Sequence, residues 1–581
     1  MTADVHPDPR PVPAADALAE AGVDARIELL EDRLGNPWDA DNPAGFAAVV
    51  AADEAERTPE GGERALDDFG VLAEFVPERL GGRLRRADHL VDLMRSVYRR
   101  DPSLGLGHCS SSLLGAVNLW TAGSGPQQRH VADLLLGGGK LSCAFHELAH
   151  GNDIGSIDFA AVPTADGHRL NGRKESISNL DRAQGVVFLA RTDPAGGPRG
   201  CSQFYLPVTA FEPAKVTRLA RFRSVGMRGV LLGGIRVEDL PVTPDDLVGV
   251  SGTGLETAAR AFQLTRIALP GMSTAILDTA LRVTLHHVRR RRLYGRTAAD
   301  IPMVRSTLAN AFADLLLCEA FATVAARSLH VRPESGSVYA PAVKYLLAGL
   351  LLDAVEQLAL VMGSEFYRRD GEHAVFQKMA RDVKPVGFGH IARAACLSAL
   401  LPQLPSLARR SWRESAPAPA ELFTADGELP PLDLAGLRVS AGGRDALAAA
   451  LNAAPEDDPL PTELRPLAER TAARLRTLAE DCAGLRPADL SIAAPVMVRE
   501  LGAEYAALLA ASACFGIHRH APADTFLARP HWLVAVLTRL APGVPGRPAD
   551  LPGEVEDALI EELFERDDEV RGFGLSDRRY R

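Results

Sequence analysis

Residues 143–156 read CAFHELAHGNDIGS, and residues 171–179 read NGRKESISN. Both segments carry Gly, Asn and Ser at the spacing that interrupts long helices and delimits short strands. Asn171-Gly172 is the dipeptide that favours a tight β-hairpin. Short runs of β-type residues follow at 186–190, 203–207 and 234–237. The sequence therefore predicts a β domain over residues 143–251.

A zinc site is the first alternative for this stretch, because residues 146–150 spell H-E-x-x-H. That pattern binds zinc on a helix, where both imidazoles share one face and the Glu activates water. The cluster GNDIG at 151–155 ends a helix instead of extending it. The longer form of the motif also needs a His at 156, where this chain has Ser156. We therefore expect no metal here.

Helical periodicity dominates the chain on both sides of the β domain. A helix is predicted near Val23 to Leu34, and Ser124 is the predicted cap of another helix that has Pro126 in its first turn. The fold class is therefore α+β. The predicted domains are a tail (1–42), an N-terminal helical domain (43–142), the β domain (143–251), a helical bundle (252–402), a linker (403–463) and a helical extension (464–581).

Composition restricts the classes of function. The chain has 581 residues, 46% of them hydrophobic, and a formal net charge of -11, which argues against a general nucleic-acid surface. Seven scattered cysteines without a C-x-x-C pair fit a reducing cytoplasm. The first 21 residues lack the apolar core of a signal peptide. The longest apolar runs, such as Leu346 to Val355, are too short and interrupted to predict a membrane span.

Several motifs, in their order, resemble the acyl-CoA dehydrogenase family. Residues 146–153 (HELAHGND) stand where the family has T-E-P-x-x-G-S-D, and residues 171–179 stand where it has N-G-x-K-x-W-I-T-N. Residues 291–295 (RRLYG) resemble the family's R-x-x-F-G, and Arg381-Asp382 resembles its R-D. This joint order covers roughly residues 60–400 and is more specific than any one motif.

The resemblance implies a helical N-terminal domain, a β-barrel-like middle domain and a C-terminal four-helix bundle, to which this chain adds a helical extension. It also implies FAD as cofactor and an acyl thioester, on CoA or on an acyl carrier protein, as substrate. Short polar groups would then touch the edge of the flavin ring. The cofactor contacts that follow are Phe145, His146, Asn152, Ser176, Ser178, Arg291 and Tyr294.

Arg291 carries a further implication of the resemblance. Its planar guanidinium suits a phosphate and would bind the FAD pyrophosphate of a neighbouring subunit. The chain is therefore expected to form a homodimer or a homotetramer. If the resemblance to the family is set aside, the alternative interpretation of the basic run at 289–292 is a solvent-exposed helix face.

The position of the catalytic base departs from the family pattern. The family's base is a Glu, and counting its spacing from Arg381-Asp382 reaches His390. No acidic residue occurs between Asp382 and Glu414. A subset of the family places the Glu immediately before an Arg in a central helix, but this chain has Thr265 there, before Arg266. His390 is therefore the candidate base, because a neutral imidazole accepts a proton; the alternative is a packed His at a helix start.

Two other pocket positions also differ. The tryptophan beside the flavin is Ser176, and the Thr of T-E-P is His146, which makes His146 a second candidate for proton transfer. Changes clustered in one pocket suggest specialised metabolism. Three hypotheses remain open: an FAD-dependent α,β-desaturation with a non-standard base, a flavin-dependent monooxygenase or oxidase on the same fold, and a catalytically inactive acyl-binding homologue.

Overall fold

The structure is a computed structural model, and it describes residues 18, 21–425, 427–456, 460–491, 493–541, 550–576 and 578–580. A helical region comes first, a mixed sheet follows, and helices occupy the remaining chain. This order confirms the predicted α+β class. The predicted domain boundaries stay a prediction.

The N-terminal helices are α1 (Val23–Leu34), α2 (Phe46–Glu54), α3 (Glu60–Phe69), α4 (Ala87–Arg100), α5 (Ser111–Ala122) and α6 (Gly125–Leu136). Helix α1 confirms the helix predicted in the tail, and its buried Ile27, Leu30 and Leu34 pack into the main core. Helix α6 begins with the predicted cap. Ser124 and Gln127 form a reciprocal capping box that satisfies two backbone donors.

The strands are β1 (Lys140–Ala144), β2 (Ala160–Thr164), β3 (Gly167–Ser178), β4 (Ala183–Arg191), β5 (Cys201–Pro207), β6 (Val216–Leu219), β7 (Leu232–Val242) and β8 (Leu247–Val248). They pair in the order β6-β7-β3-β2-β4-β5-β8, and β1 joins β4 in parallel. The sheet encloses a hydrophobic core of its own, in which Phe159 and Phe188 stack at 5.5 Å. A separate core of this kind is what a barrel-like sheet requires.

The helices after the sheet are α7 (Gly254–Arg290), α8 (Pro302–Val331), α9 (Gly336–Met362), α10 (Val375–Asp382), α11 (Arg393–Leu400), α12 (Leu404–Arg409), α13 (Ala446–Ala453), α14 (Arg465–Ala483), α15 (Val496–His520), α16 (Pro530–Arg539) and α17 (Gly553–Asp568). A small hairpin of β9 (Arg292–Leu293) and β10 (Arg296–Thr297) follows α7. Helices α7, α8 and α9 pack on one another, and α4 packs on α7. This packing places the central helix α7 between the N-terminal helices and the bundle.

Part of the predicted linker 403–463 is packed, among the residues of it that the structure describes. Asp445 is buried and accepts hydrogen bonds from Tyr339 at 2.7 Å, Tyr505 at 2.8 Å and Trp412 at 3.1 Å. One carboxylate thereby joins α9 to α13 and α15. The composition rich in Pro and Ala agrees with a linker that is partly packed, but it does not show that one buried acid holds the packed part.

Within the described ranges, three helices are long and apolar enough to cross a membrane by length and composition: Pro302–Val331, Pro333–Tyr367 and Val496–His520. The apolar runs are thus longer than the sequence indicated. In their most apolar windows, 94%, 44% and 67% of the residues respectively are buried inside the protein. Core packing therefore accounts for the apolar character of the first helix.

Candidate flavin and thioester site

The segment between β1 and β2 is held by one buried ion pair. Lys174 Nζ donates to Glu147 Oε1 at 2.8 Å and to the Phe145 carbonyl at 2.9 Å. Glu147 also accepts from the backbone amides of Asp158 and Phe159 at 2.8 and 3.0 Å. Burial lowers the pKa of Lys174 to about 8, although Glu147 opposes the shift. This pair fixes the chain reversal after β1 against strand β3.

The H-E-x-x-H residues do not form a zinc helix. Residues 145–147 are extended and 148–150 form a turn, so the two imidazoles do not share a helix face. His146 faces the His390 carbonyl at 3.1 Å, whereas His150 pairs with Asp158 at 3.0 Å. Glu147 is already occupied by Lys174. Glu147 and His150 instead lie near Asp158, with ligand atoms within 4.8 Å of one another, so the expectation of no metal here stays a prediction.

Strand β3 changes register between Lys174 and Ile177 where it pairs with β7. Within this irregularity Ser176 has a φ of 60°, a left-handed value that is uncommon for a residue with a Cβ. The side chains of Ser176 and Ser178 are half-buried. The break in register therefore leaves two short hydroxyl groups at the end of the strand.

Asn179, the next residue, has a side chain without a partner. It is 1% exposed, and its Oδ1 and Nδ2 atoms make no hydrogen bond among the described residues. A buried amide left unpaired costs about 1–3 kcal/mol, so such a group points to a ligand. An amide beside two hydroxyls suits the alternating donors and acceptors at the edge of a flavin ring. The residues present therefore fit the FAD that the fold implies.

His390 lies opposite this strand, in the segment between α10 and α11. Its Nε2 atom is 2.9 Å from Thr265 Oγ1 on α7, and its ring packs edge-on against Phe262 at 4.4 Å. Burial lowers the pKa of His390 well below its usual value, and the positive groups of Lys344 and Arg266 add to the shift. His390 is therefore a neutral imidazole at pH 7.

The Thr265 hydroxyl can partner either neutral tautomer of His390. It lies 3.3 Å from the Phe262 carbonyl and 2.9 Å from His390 Nε2, and it donates its single proton to one of the two. When it donates to the carbonyl, it accepts from Nε2–H and the lone pair of the ring is on Nδ1. A neutral ring keeps one lone pair, which a general base needs.

The two loops of the site are joined by polar contacts. Asn152 Oδ1 accepts from the Ala392 amide at 3.0 Å. His146 Nδ1 faces the Gly151 carbonyl at 3.2 Å, on the opposite side of the ring from its contact with His390. A neutral imidazole has one N–H and donates to only one of these two oxygens. Phe145 packs against Phe262 at 5.5 Å and completes the apolar side of the cluster.

Arg291 and Tyr294 are not part of this cluster in the chain itself. They follow α7 in the β9–β10 hairpin, where Arg291 is exposed and the Tyr294 side chain is 94% exposed. The neighbouring arginines are engaged: Arg289 pairs with Asp567 at 2.6 Å, and Arg290 with Glu372 at 3.3 Å. Among the described residues Arg291 forms no ion pair. A role of Arg291 towards a second subunit stays a prediction.

Sequence reasoning missed the contribution of Lys344. This residue is 2% exposed on α9, and its Nζ atom donates to the Gly389 carbonyl at 3.1 Å, next to His390. The available signal was a lone Lys inside the apolar run PAVKYLLAGLLL at 341–352. A lysine in such a run is either buried or interrupts the apolar face.

A cavity of about 980 Å³ lies elsewhere, and it contains none of the predicted site residues. Its lining includes Trp38, Arg99, Arg282, His286 and Tyr580. It therefore has no connection with the chemistry of His390.

The chain combines an N-terminal helical region, a mixed sheet and a long helical bundle, and the cluster around His390 lies where the loop after β1 meets the bundle. Comparisons with known proteins agree. A sequence model of the acyl-CoA dehydrogenase C-terminal domain matches residues 252–389. The human mitochondrial short-chain specific acyl-CoA dehydrogenase is 26% identical over 268 residues, which span 46% of this chain and 64% of that protein. The probable acyl-CoA dehydrogenase FadE25 of Mycobacterium tuberculosis is 25% identical over 356 residues, 61% of this chain and 90% of that protein.

Solved structures share the fold. Butyryl-CoA dehydrogenase from Megasphaera elsdenii has a TM-score of 0.58 at 18% identity and covers 65% of this chain and 96% of its own. The prolyl acyl carrier protein oxidase AnaB has a TM-score of 0.57 at 17% identity and covers 66% and 97%. This chain belongs to the acyl-CoA dehydrogenase family of FAD-dependent oxidoreductases.

Proposed function

We propose that the protein desaturates an acyl thioester between its α- and β-carbons, with His390 as the base. The observation that carries this proposal is the neutral His390, held by Thr265, at the position where the resemblance predicts the catalytic Glu. A base must be unprotonated before it acts, and burial beside two cationic side chains keeps this imidazole so.

FAD, when bound, accepts the hydride that leaves the β-carbon. The residues of the chain perform the remaining steps. His390 Nδ1 takes the α-proton, while Nε2–H stays on Thr265 and holds the ring in place. The protonated ring is disfavoured by the same burial, so it releases its proton readily when the product leaves. Phe145 and Phe262 exclude water from one side of the imidazole.

Flavin-dependent oxidation by O2 is the second candidate. The structural neighbours AnaB, described as a prolyl acyl carrier protein oxidase, and PigA, described with FAD and proline, share the fold at TM-scores of 0.57 and 0.58. These names favour an acyl carrier protein, as well as CoA, as the group to which the acyl thioester is attached. Both candidates use the same base, and they differ in what reoxidises the cofactor.

The visible absorption spectrum of the purified protein tests the proposal. Anaerobic addition of an acyl thioester, on CoA or on a carrier protein, is expected to bleach the flavin bands. Bleaching that reverses on admission of air with consumption of O2 favours the oxidase. A protein that binds FAD but is bleached by no thioester on either handle is an inactive acyl-binding homologue.

We also infer a homodimer or homotetramer, because Arg291 and Tyr294 are exposed after α7 and thus accessible to a second subunit. Light scattering that gives a monomer for the FAD-bound protein would remove this role. All seven cysteines are free thiols, which supports the cytoplasmic location that we propose.

A further inference from the structure

Two cationic side chains lie beside His390 without a carboxylate. Lys344 is buried, and its only described hydrogen bond goes to the Gly389 carbonyl. Arg266 on α7 is half-buried, and its Nε atom is fully buried without an acceptor. Among the described residues neither side chain has a carboxylate oxygen within 4 Å. The chain from 383 to 413, which contains His390, has no acidic residue at all.

The other buried lysines in the described chain each have a carboxylate nearby. Lys174 has Glu147 at 2.8 Å, Lys378 has Asp101 at 2.6 Å, and Lys140 has Asp67 at 3.7 Å. Buried charges are paired because an isolated one costs several kcal/mol of desolvation. Lys344 is the exception, and its position next to the base suggests that its partner is a ligand.

The two cationic side chains influence pKa values at the site. Burial lowers the pKa of Lys344 to about 8, and the nearby Arg266 lowers it further in the same direction. Both groups also help to keep His390 neutral. A hydrocarbon acyl chain next to them would leave two cations dehydrated and unpaired, which disfavours such a substrate. An anionic group would satisfy both.

We propose that Arg266 and Lys344 form a subsite for a carboxylate at the far end of the acyl group. This inference rests on the proposed function and specifies its substrate class as thioesters of short dicarboxylic acids. Because Lys344 bonds to Gly389, the neighbour of the base, the carboxylate lies only a few carbons from the thioester. The planar guanidinium of Arg266 suits a carboxylate through two parallel hydrogen bonds.

The test uses the FAD-bound protein and matched thioesters. Glutaryl-CoA is compared with pentanoyl-CoA, and adipoyl-CoA with hexanoyl-CoA, by anaerobic titration of the flavin spectrum. We expect the carboxylate form to bind at least about 10-fold more tightly, since a hydrogen bond to a charged group is worth more than one to a neutral group. Lys344→Met and Arg266→Met should each remove this preference, whereas Lys344→Arg should retain it.

Lys384→Met is the matched control. Lys384 lies six residues before His390, is exposed, and has Glu356 at 3.6 Å, so the substitution changes the net charge equally without touching the subsite. Equal binding of both members of each pair would overturn the proposal. The proposal would also be overturned if the Met variants bound carboxylate-ended and methyl-ended thioesters more weakly by the same factor. The two cations would then interact with the thioester group and not with a terminal carboxylate.

A second measurement separates this proposal from the proposed function. Free glutarate should raise the melting temperature of the wild-type protein, and it should do so less in Lys344→Met, while the neutral glutaramide should not. If no thioester bleaches the flavin but glutarate stabilises the protein through Lys344, the desaturase proposal fails and the anion subsite stands. Absence of the glutarate effect, with no thioester preference, overturns the subsite.

Discussion

His390 Nε2 and Thr265 Oγ1 lie 2.9 Å apart, although the two residues are 125 positions apart in the chain. The resemblance to the family predicts a catalytic Glu at one or the other of these two positions, and here neither residue is an acid. The fold thus brings the two alternative base positions into one hydrogen bond. In the proposed function, His390 supplies the base and Thr265 holds its ring in place.

Replacing His390 with Gln should abolish most of the turnover. Gln keeps an amide N–H that can donate to Thr265, but it has no lone pair able to accept the α-proton. General-base catalysis contributes about 10²–10⁴-fold, so product formation from the best thioester should fall by that factor with FAD content unchanged. His150→Gln is the control, because His150 pairs with Asp158 away from the cluster. Wild-type turnover in His390→Gln would refute the assignment.

Thr265 should act as a positioning residue. In Thr265→Val the Nε2–H of His390 loses its acceptor, and the ring is free to exchange tautomers. Turnover should drop about 10-fold, consistent with the 1–3 kcal/mol cost of an unpaired buried donor, and the pH profile of kcat should change shape. Thr265→Ser restores the hydroxyl and should restore the profile. An unaltered profile in the Val variant would show that Thr265 merely fills space.

The lowered pKa of His390 predicts how stability depends on pH. Because the folded-state pKa lies below the unfolded value of about 6.5, the unfolded chain binds the proton first as the pH falls. This group therefore stabilises the fold at neutral pH, and its contribution is lost below about pH 6.5 by up to about 1.4 kcal/mol per pH unit.

Urea unfolding between pH 5 and pH 8 measures this effect. The free energy of unfolding of His390→Gln should fall less steeply with decreasing pH than that of the wild type, and the two curves should converge at the acidic end. Other histidines with lowered pKa, such as His330 and His518, are present in both proteins and cancel in the comparison. Parallel curves would contradict a buried neutral imidazole.

The buried pair of Lys174 and Glu147 should be structural. Lys174→Met leaves a buried carboxylate without its cation and should lower the free energy of unfolding by about 3–5 kcal/mol. Arg173→Met, at the exposed neighbouring position paired loosely with Glu175 at 3.6 Å, should change it little. The zinc interpretation makes the opposite forecast, in which a chelator inactivates the protein and Lys174 is dispensable.

Arg291 should influence cofactor retention between subunits. Arg291→Ala should release FAD more readily on dilution, as measured by the fluorescence of free flavin, because one phosphate contact is lost. Arg292→Ala is the control, since it removes the same charge from the adjacent exposed position. Equal FAD release from both variants would assign the effect to net charge alone.

Much of the fold was predictable from local signals. The helix at Val23–Leu34 and the cap at Ser124 each follow from propensity within a few residues. The hairpin predicted at Asn171-Gly172 is wrong, because this dipeptide lies inside β3, at a break in its register with β7, and the turn between β2 and β3 falls at 164–167. The tertiary contacts were not predictable in this way. Lys344 and Asp445 are charged residues in apolar or irregular segments, and only the folded chain shows which buried groups they face.

At the site, too, local signals were predictable from the sequence and tertiary contacts were not. Counting from Arg381-Asp382 found His390, but the tautomer of its ring depends on the contact between Thr265 and Phe262, which no spacing reveals. The orphaned amide of Asn179 and the break in register at Ser176 likewise emerge only from the pairing of β3 with β7.

The most direct test of the central claim is the anaerobic rate of flavin bleaching with a thioester deuterated at its α-carbon. If His390 removes the α-proton as the hydride leaves, deuterium should slow bleaching severalfold in the wild type above about pH 7, where the imidazole is neutral. Flavin bleaching that proceeds at the same rate with protium and deuterium, and equally fast in His390→Gln, would contradict the account.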